Sequence, residues 1–453
     1  MKHTHHRHQP NQPAARRVRS RWWVTGLAGM TGLALTSVGV GNAPAADAAA
    51  RALTATGDRP SGDQDRGEYD ADGKGNSKGK LKKPTGTSVP CDADALVAAI
   101  TLANARGGAT LDLAQKCTYT LTTNIDGAGL PAITTPITLN GRKHTTITRA
   151  AAVDQFRILT VDTGGNLTLN KLTITGGQTP DDGGGILVNT GGALTIKHSA
   201  ISRNLAEGDG GGVANNGIAR VKHSTIERNT SSEDGGGIDS DGALDISESR
   251  VHANLAETVG GIRSSGTARI GHSSISGNRA GNSGGVALSD TALVTKSSIT
   301  NNFAEGAVGG ALVSVDSQAT FRSVTIAKNV ARAAIGGGLA VGEGASAVVE
   351  DSVIKNNSSG LAGGGIYNLS ELVARDTKVI ENQAGDTGGG IYNEEPGTIS
   401  LFTTKVTKNT AGADGGGIFN ETGGTVNLNT ATGTIVVKNR PNNCSGDVPG
   451  CAG

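Results

Sequence analysis

Aromatic side chains are nearly missing from this chain: five Phe, four Tyr and two Trp in 453 residues. So few rings leave little of the stacking surface expected of a carbohydrate-cleaving groove. An excess of either charge is missing too, with 41 Lys and Arg against 40 Asp and Glu. That balance conceals a split. Residues 1–88 hold 14 basic and 7 acidic residues, whereas residues 89–453 hold 27 and 33. The larger part is therefore acidic, which argues against nucleic acid as a partner. Long apolar runs are confined to Val24–Val40, and no later stretch is long enough to cross a membrane. The Leu- and Ala-rich amphipathic stretches of helical repeats are absent from residues 183–439, where glycine blocks would break them. The calcium-binding nonapeptide repeat is not present as a regular array.

What is abundant is glycine, 70 residues of it, laid down on a beat. Blocks such as Gly363 to Asn368, Gly388 to Asn393 and Gly415 to Asn420 repeat one phrase, and their last glycines run from Gly185 to Gly417 in steps of 24 to 28 residues. A second landmark, Asn204 through Asn409, keeps the same time. Periods of this length mean stacked repeats. Three apolar columns accompany the beat, entered at Ile186, Ile196 and Ile201 and continued at Val213, Val221 and Ile226. Each is a short, alternating, often β-branched run, which is strand chemistry. The pattern predicts an all-β fold: a single-stranded right-handed parallel β-helix with three strands per coil, about 11 coils and a short N-terminal capping helix. Glycine permits the sharp bends, and aligned asparagine amides can hydrogen-bond from coil to coil.

The expected organisation follows the chain. Residues 1–48 read as a secretory signal, with Arg16, Arg17, Arg19 and Arg21 before the apolar run and small residues at Ala43–Ala48. Residues 49–88 read as a disordered linker of Asp, Gly, Lys, Ser and Pro. Residues 89–130 form an N-terminal cap, with Asp92 as helix N-cap and Gly107-Gly108 as the stop; residues 131–440 form the β-helix, and residues 441–453 a C-terminal disulfide loop. Four cysteines in an exported chain suggest two disulfides. Three connectivities exist on paper. In a rod the pairs Cys91–Cys117 and Cys444–Cys451 lie at opposite ends, which leaves no room for crossed pairing.

The phrase Cys91…Leu96…Ala99-Ile100…Ala103-Asn104…Gly107-Gly108-Ala109-Thr110-Leu111…Cys117-Thr118-Tyr119-Thr120-Leu121 resembles the start of secreted right-handed β-helix proteins from actinomycetes, as does the ending Asn439–Cys444. The Gly-Gly-Gly-Ile repeats are similar to those of chlamydial polymorphic outer-membrane proteins, which share the pectate-lyase-like solenoid. The resemblance implies the fold and leaves function wide, because that solenoid hosts lyases, hydrolases, epimerases, adhesins and tailspikes. The outer-membrane relatives end in a transmembrane barrel; this chain stops at Gly453 without one, so release or noncovalent retention is expected.

Three groups of residues are candidates for a site. Asp182, Asp209 and Asp234 recur three residues before their glycine landmarks, and stacked carboxylates of this kind would repel unless calcium, the one cofactor in view, bridged them. His198, His223, Glu248, His272 and Lys296 recur six residues before the landmark asparagines, an arrangement that offers a general base or, as simply, an exposed ladder. Tyr367, Tyr392 and Phe419 stack at equivalent positions and offer either sugar contacts or packing. The sequence reads as a secreted, extracellular surface or adhesion-type protein, non-enzymatic, whose partner is an extracellular polysaccharide or cell-surface polymer. It would have no membrane association once the signal is cleaved. The alternative is a polysaccharide lyase or hydrolase working along the solenoid.

Overall fold

The computed structural model describes residues 86–452. The expected signal, and all of the expected linker except its last three residues, lie outside the described residues. One coil shows how the rest is built. Ile186–Val188, Ala193–Lys197, Ala200–Ser202 and Leu205–Ala206 are its strands, and Gly210–Gly212 lead into the next. Each pairs in parallel with its equivalents above and below, as in Ile186↔Val213, Ile196↔Val221 and Ile201↔Ile226. The result is four parallel sheets of 14, 13, 12 and 10 strands running the length of a β-helix.

Three details differ from the sequence reading. A fourth ladder, of two-residue strands, follows each landmark asparagine, where only three strands per coil were expected. The 13-stranded sheet also exceeds eleven coils, because the irregular runs before Gly185 already pair, as in Thr118↔Thr146↔Thr173. The first strand of the longest sheet, Thr87–Val89, begins in the last two residues of the stretch read as linker and ends in the cap.

Alternation sends one residue of each strand inward, and stacking closes these into continuous columns. Ile186, Ile196, Ile201 and Ile226 are fully buried members of one core that runs from Val89 to Val448. Beside it runs a second column that is polar. The Asn204 amide donates to Asn229 Oδ1 at 3.0 Å, and the Asn204 backbone N–H donates to the same oxygen at 3.0 Å. The pattern repeats coil by coil to Asn409 and Asn439. Each amide also donates to a strand carbonyl, as Asn229 does to Ile201 at 3.0 Å. These asparagines are buried without being orphaned, the condition for keeping polar groups inside.

The glycine blocks serve two needs. Gly183, the first of its block, has φ +71°, where an L side chain is strained. Gly185, the last, has an ordinary φ but no room, since a Cβ would sit 2.6 Å from Gly212 O and 3.0 Å from the Asn204 amide.

The helix Ala93–Ala105 covers the first coil with Leu96, Ile100 and Ala103 buried, and Asp92 accepts a hydrogen bond from the Ala95 N–H at 2.7 Å. Cys91 is bonded to Cys117 and Cys444 to Cys451, one staple at each end. Among the described residues no helix is long and apolar enough to cross a membrane.

Between Gly185 and Asn409 coil length varies in two places only. From Ile196–Asn204 to Leu401–Asn409, the second apolar column lies eight residues before its asparagine in every coil. The turn after each strand of the 12-stranded sheet takes two to four residues from Val188 onward, and the glycine approach takes up the rest. Both turns border the outer face of that sheet.

Candidate functional site

That outer face forms a trench. Its floor is the residue between the two inward positions of each strand, in register as Leu187↔Ala214↔Asp239↔Arg263↔Ala287↔Leu312↔Ala340↔Tyr367↔Tyr392↔Phe419. Residues pointing away from a core ought to be open to solvent. Here Ala214, Asp239, Ala287, Ala340, Tyr367 and Tyr392 are all buried, none more than 9% exposed. The two variable turns flank it as walls, and the glycine approach lies against the floor itself: a Cβ added at Gly210 would sit 2.7 Å from Ala214 Cα, and one at Gly388 2.7 Å from Tyr392 Cβ.

Charged groups meet at Arg263. Its guanidinium reaches Asp239 on the floor at 2.7 Å, Asp234 on one wall at 3.5 Å and Asp241 on the other at 3.1 Å. Burial, above all, pushes the Asp239 carboxyl up to about 7, against the pull of Arg263. Burial likewise pushes Asp209 up to about 6 and raises Asp234. The nearby carboxylates hold Arg263 firmly in its charged form.

The three aspartates read as a calcium set have other partners. Asp182 Oδ1 accepts the Asp209 backbone N–H at 2.9 Å, and Asp209 Oδ1 accepts that of Asp234 at 2.9 Å. Asp234 then pairs with Arg263. Repulsion between coils is thus relieved by backbone donors and one guanidinium. Among the described residues, no three His, Cys, Asp or Glu side chains gather in a way that would hold a metal ion.

Farther along the floor, the rings of Tyr367 and Tyr392 stack 5.1 Å apart and those of Tyr392 and Phe419 5.3 Å apart, all within 3° of parallel. Their faces are spent on one another, so edges and hydroxyls are what remain for a ligand. The sugar-face role suggested by the sequence therefore does not fit Tyr392, whose two faces are both taken. The Tyr367 hydroxyl donates to Glu394 and that of Tyr392 to Glu421, folding both carboxylates over the floor. With Val308, Ala340 and Ala362, the tyrosines form an apolar cluster separate from the core.

The histidine column lies elsewhere, at the corner between the 14- and 13-stranded sheets. His198, His223, Glu248, His272 and Lys296 each occupy a single left-handed position, with φ between 46° and 51°. That corner selects residues which tolerate positive φ, His among them. Stacking does align them: the His198 and His223 rings lie 4.9 Å apart, and His223 Nδ1 is 3.1 Å from Glu248 Oε2. Both members of that pair are exposed. His198 borders a shallow groove of about 450 Å³ that is also lined by Thr138, Asn140, Thr168, Asn170, Lys171 and Lys197.

Sequence reasoning missed Asp239, Asp241 and Arg263. A signal existed, because Asp239 and Arg263 are the only charged residues in a floor column otherwise small, aliphatic or aromatic.

The raised carboxyls predict a pH effect of definite sign. The folded state holds protons on Asp209 and Asp239 that the unfolded chain releases near pH 4, so this contribution is full at lower pH and fades between about 4 and 7. Amides of Asn229–Ser264, corrected for intrinsic rates, should therefore be less protected from hydrogen exchange at pH 8 than at pH 5. In Asp239→Asn most of that difference should vanish, and equal protection at the two pH values in the unaltered protein would refute the assignment.

No protein-family model and no curated protein matches the chain. Two solved structures are similar to it. Pectate lyase Pel9A is 12% identical over 79% of this chain and 75% of its own, with a TM-score of 0.31. Tailspike protein 3 of bacteriophage CBA120 is 14% identical over 78% of this chain and 59% of its own, with a TM-score of 0.36. Neither likeness bears on the chemistry of the trench.

Proposed function

We propose that this protein is an extracellular scaffold that binds a polysaccharide lengthwise in the trench. One observation carries the reading: a floor column in continuous register from Leu187 to Phe419, flanked along its length by turns, with partly exposed stations at Leu187, Arg263, Leu312 and Phe419. Such a shape suits a linear polymer better than a compact ligand. Coils repeat about every 4.8 Å, on the scale of one sugar unit, so successive sugars would meet successive coils. The two end disulfides favour an oxidising location outside the cell.

A lyase or hydrolase is the second reading, favoured by the raised carboxyls of Asp209 and Asp239, since a general acid must hold its proton near neutral pH. Against it, Asp239 is buried and locked onto Arg263.

Affinity electrophoresis through gels containing a panel of polysaccharides tests the scaffold reading. At least one polysaccharide should retard the protein without being shortened, and Leu312→Arg, which fills the floor without entering the core, should abolish the retardation. Retardation unchanged in Leu312→Arg would remove the trench from the account. Depolymerisation of any polymer in the panel, with or without calcium, would favour the enzyme instead.

A further inference from the structure

We infer that the corner carrying His198 is a second binding site, sharing no residue with the trench, for an anionic sugar or polyol polymer whose charges are tetrahedral esters, phosphate or sulfate. This corner joins the 14- and 13-stranded sheets, and in its first coils the long side chains it shows to solvent are basic. The row begins at Lys116. One coil later residues 141–145 separate the strands Pro136–Asn140 and Thr146–Arg149, where Lys171 and Leu172 suffice in the coil after, and this longer turn carries Arg142 and Lys143. Lys171, then Lys197 beside His198, then Lys222 beside His223 continue the row, all exposed except the half-buried Lys222. No acidic residue occupies the corner before Glu248. In a chain whose acidic residues outnumber its basic ones from residue 89 onward, the row is a local reversal of sign.

Charge is not the whole case, because the groove of about 450 Å³ opens beside this row. Its floor is made by outward residues of three strands in register, Thr138↔Thr168 and Asn140↔Asn170↔Lys197. Acceptors there are engaged internally: the Asn170 amide donates to Asn140 Oδ1 at 3.1 Å, and the Asn140 amide to Asp112 Oδ1 at 3.0 Å. The donors are left over. Among the described residues, the Thr138 and Thr168 hydroxyls and the Lys171 and Lys197 ammoniums have no hydrogen-bond or ion-pair partner. A concave lining of free donors and positive charge fits an oxyanion. No guanidinium lines the groove, so the planar fork that suits a carboxylate is missing, whereas point donors set around a hollow suit tetrahedral oxygens. A nucleic acid would gain nothing from its bases, because no Phe, Tyr or Trp lines the groove. Coils about 4.8 Å apart each add a cation, so a charge repeated along a polymer meets several of them at once. Each exposed pair contributes little alone, and the sum must fall with salt.

Isothermal titration of the purified protein at low salt provides the test. The probes, matched in total charge, are poly(glycerol phosphate), a sparsely substituted dextran sulfate, an oligogalacturonate and an oligothymidylate. One or both of the first two should bind about tenfold more tightly than the last two and lose about tenfold in 0.5 M NaCl, and the tighter of them identifies the ester. The double variant Lys171→Gln, Lys197→Gln, altered only at exposed positions and checked by its melting temperature, should weaken that binding about tenfold. Lys328→Gln with Lys378→Gln, exposed lysines outside the groove, should change it less than about twofold. Equal losses in the two double variants would mean that the protein answers to overall charge, and would overturn the inference. So would an oligogalacturonate or oligothymidylate that binds as tightly as the esters, or the failure of both ester polymers to bind. None of these outcomes touches the retardation lost in Leu312→Arg, so the trench reading stands or falls separately.

Discussion

Ile226→Asp should cost the solenoid at least about 4 kcal/mol, because it places an unpaired carboxylate in a dry core and removes a buried aliphatic side chain. Ile226 is fully buried and stacked in register between Ile201 and Val251, so no water or cation lies within reach of the new charge. In a stacked array each coil contacts only its neighbours, and stability is a sum of coil and interface contributions. The damage should therefore stay local. Calorimetry should show one broad transition resolved into two, as the coils before and after the lesion melt separately. Thr225→Asp, one residue earlier and facing outward, should stay within about 0.5 kcal/mol of the parent. A parent-like melt for Ile226→Asp would show that the column is not the core.

The second large effect belongs to the buried asparagines. Asn278→Leu keeps the number and branching of the side-chain heavy atoms but deletes the amide. Asn278 Oδ1 accepts both the Asn254 backbone N–H and the Asn254 amide at 3.0 Å, while its own amide donates to Val251 O at 3.1 Å and Asn302 Oδ1 at 3.0 Å. The substitution strands two donors and weakens two acceptors in a region closed to solvent. With each stranded group costing about 1–3 kcal/mol, a loss of about 4 kcal/mol is expected in a urea titration. A loss below about 1 kcal/mol would mean that the column is decoration on a core stable without it.

Most of the architecture is written locally and was therefore legible. The three columns through Ile186, Ile196 and Ile201 appear as inward positions because alternation and the glycine beat are properties of neighbouring residues. The asparagine landmark was equally plain, since a polar residue kept in time with apolar columns must share their environment. The fourth ladder was harder. Its two-residue strands, such as Leu205–Ala206, are too short to carry a period and exist because the adjoining asparagines hold the chain extended.

The trench escaped for a different reason. Tyr367 alternates outward from Ile366, and nothing in the phrase Ile-Tyr-Asn reveals that two separate turns will flank it and the glycine approach will lie against it. Arg263 escaped likewise, because its three carboxylates come from the floor and both walls. The histidine column was read correctly as an alignment, but its cause, a left-handed corner, is a backbone property that no side-chain pattern displays.

The confinement of length variation to two turns between Gly185 and Asn409 has a consequence for how such a molecule can change. Over those coils the buried ladders are indexed from a segment of constant length, so residues gained or lost at the two corners shift no register. The edits fall on the margins of the trench, which can be raised, lowered or recharged one coil at a time while the shaft keeps its gauge. Duplicating a whole coil is as mild, adding about 4.8 Å of shaft and one more station along the trench. Length and selectivity can thus be altered independently in this chain, the first by copying and the second by trimming.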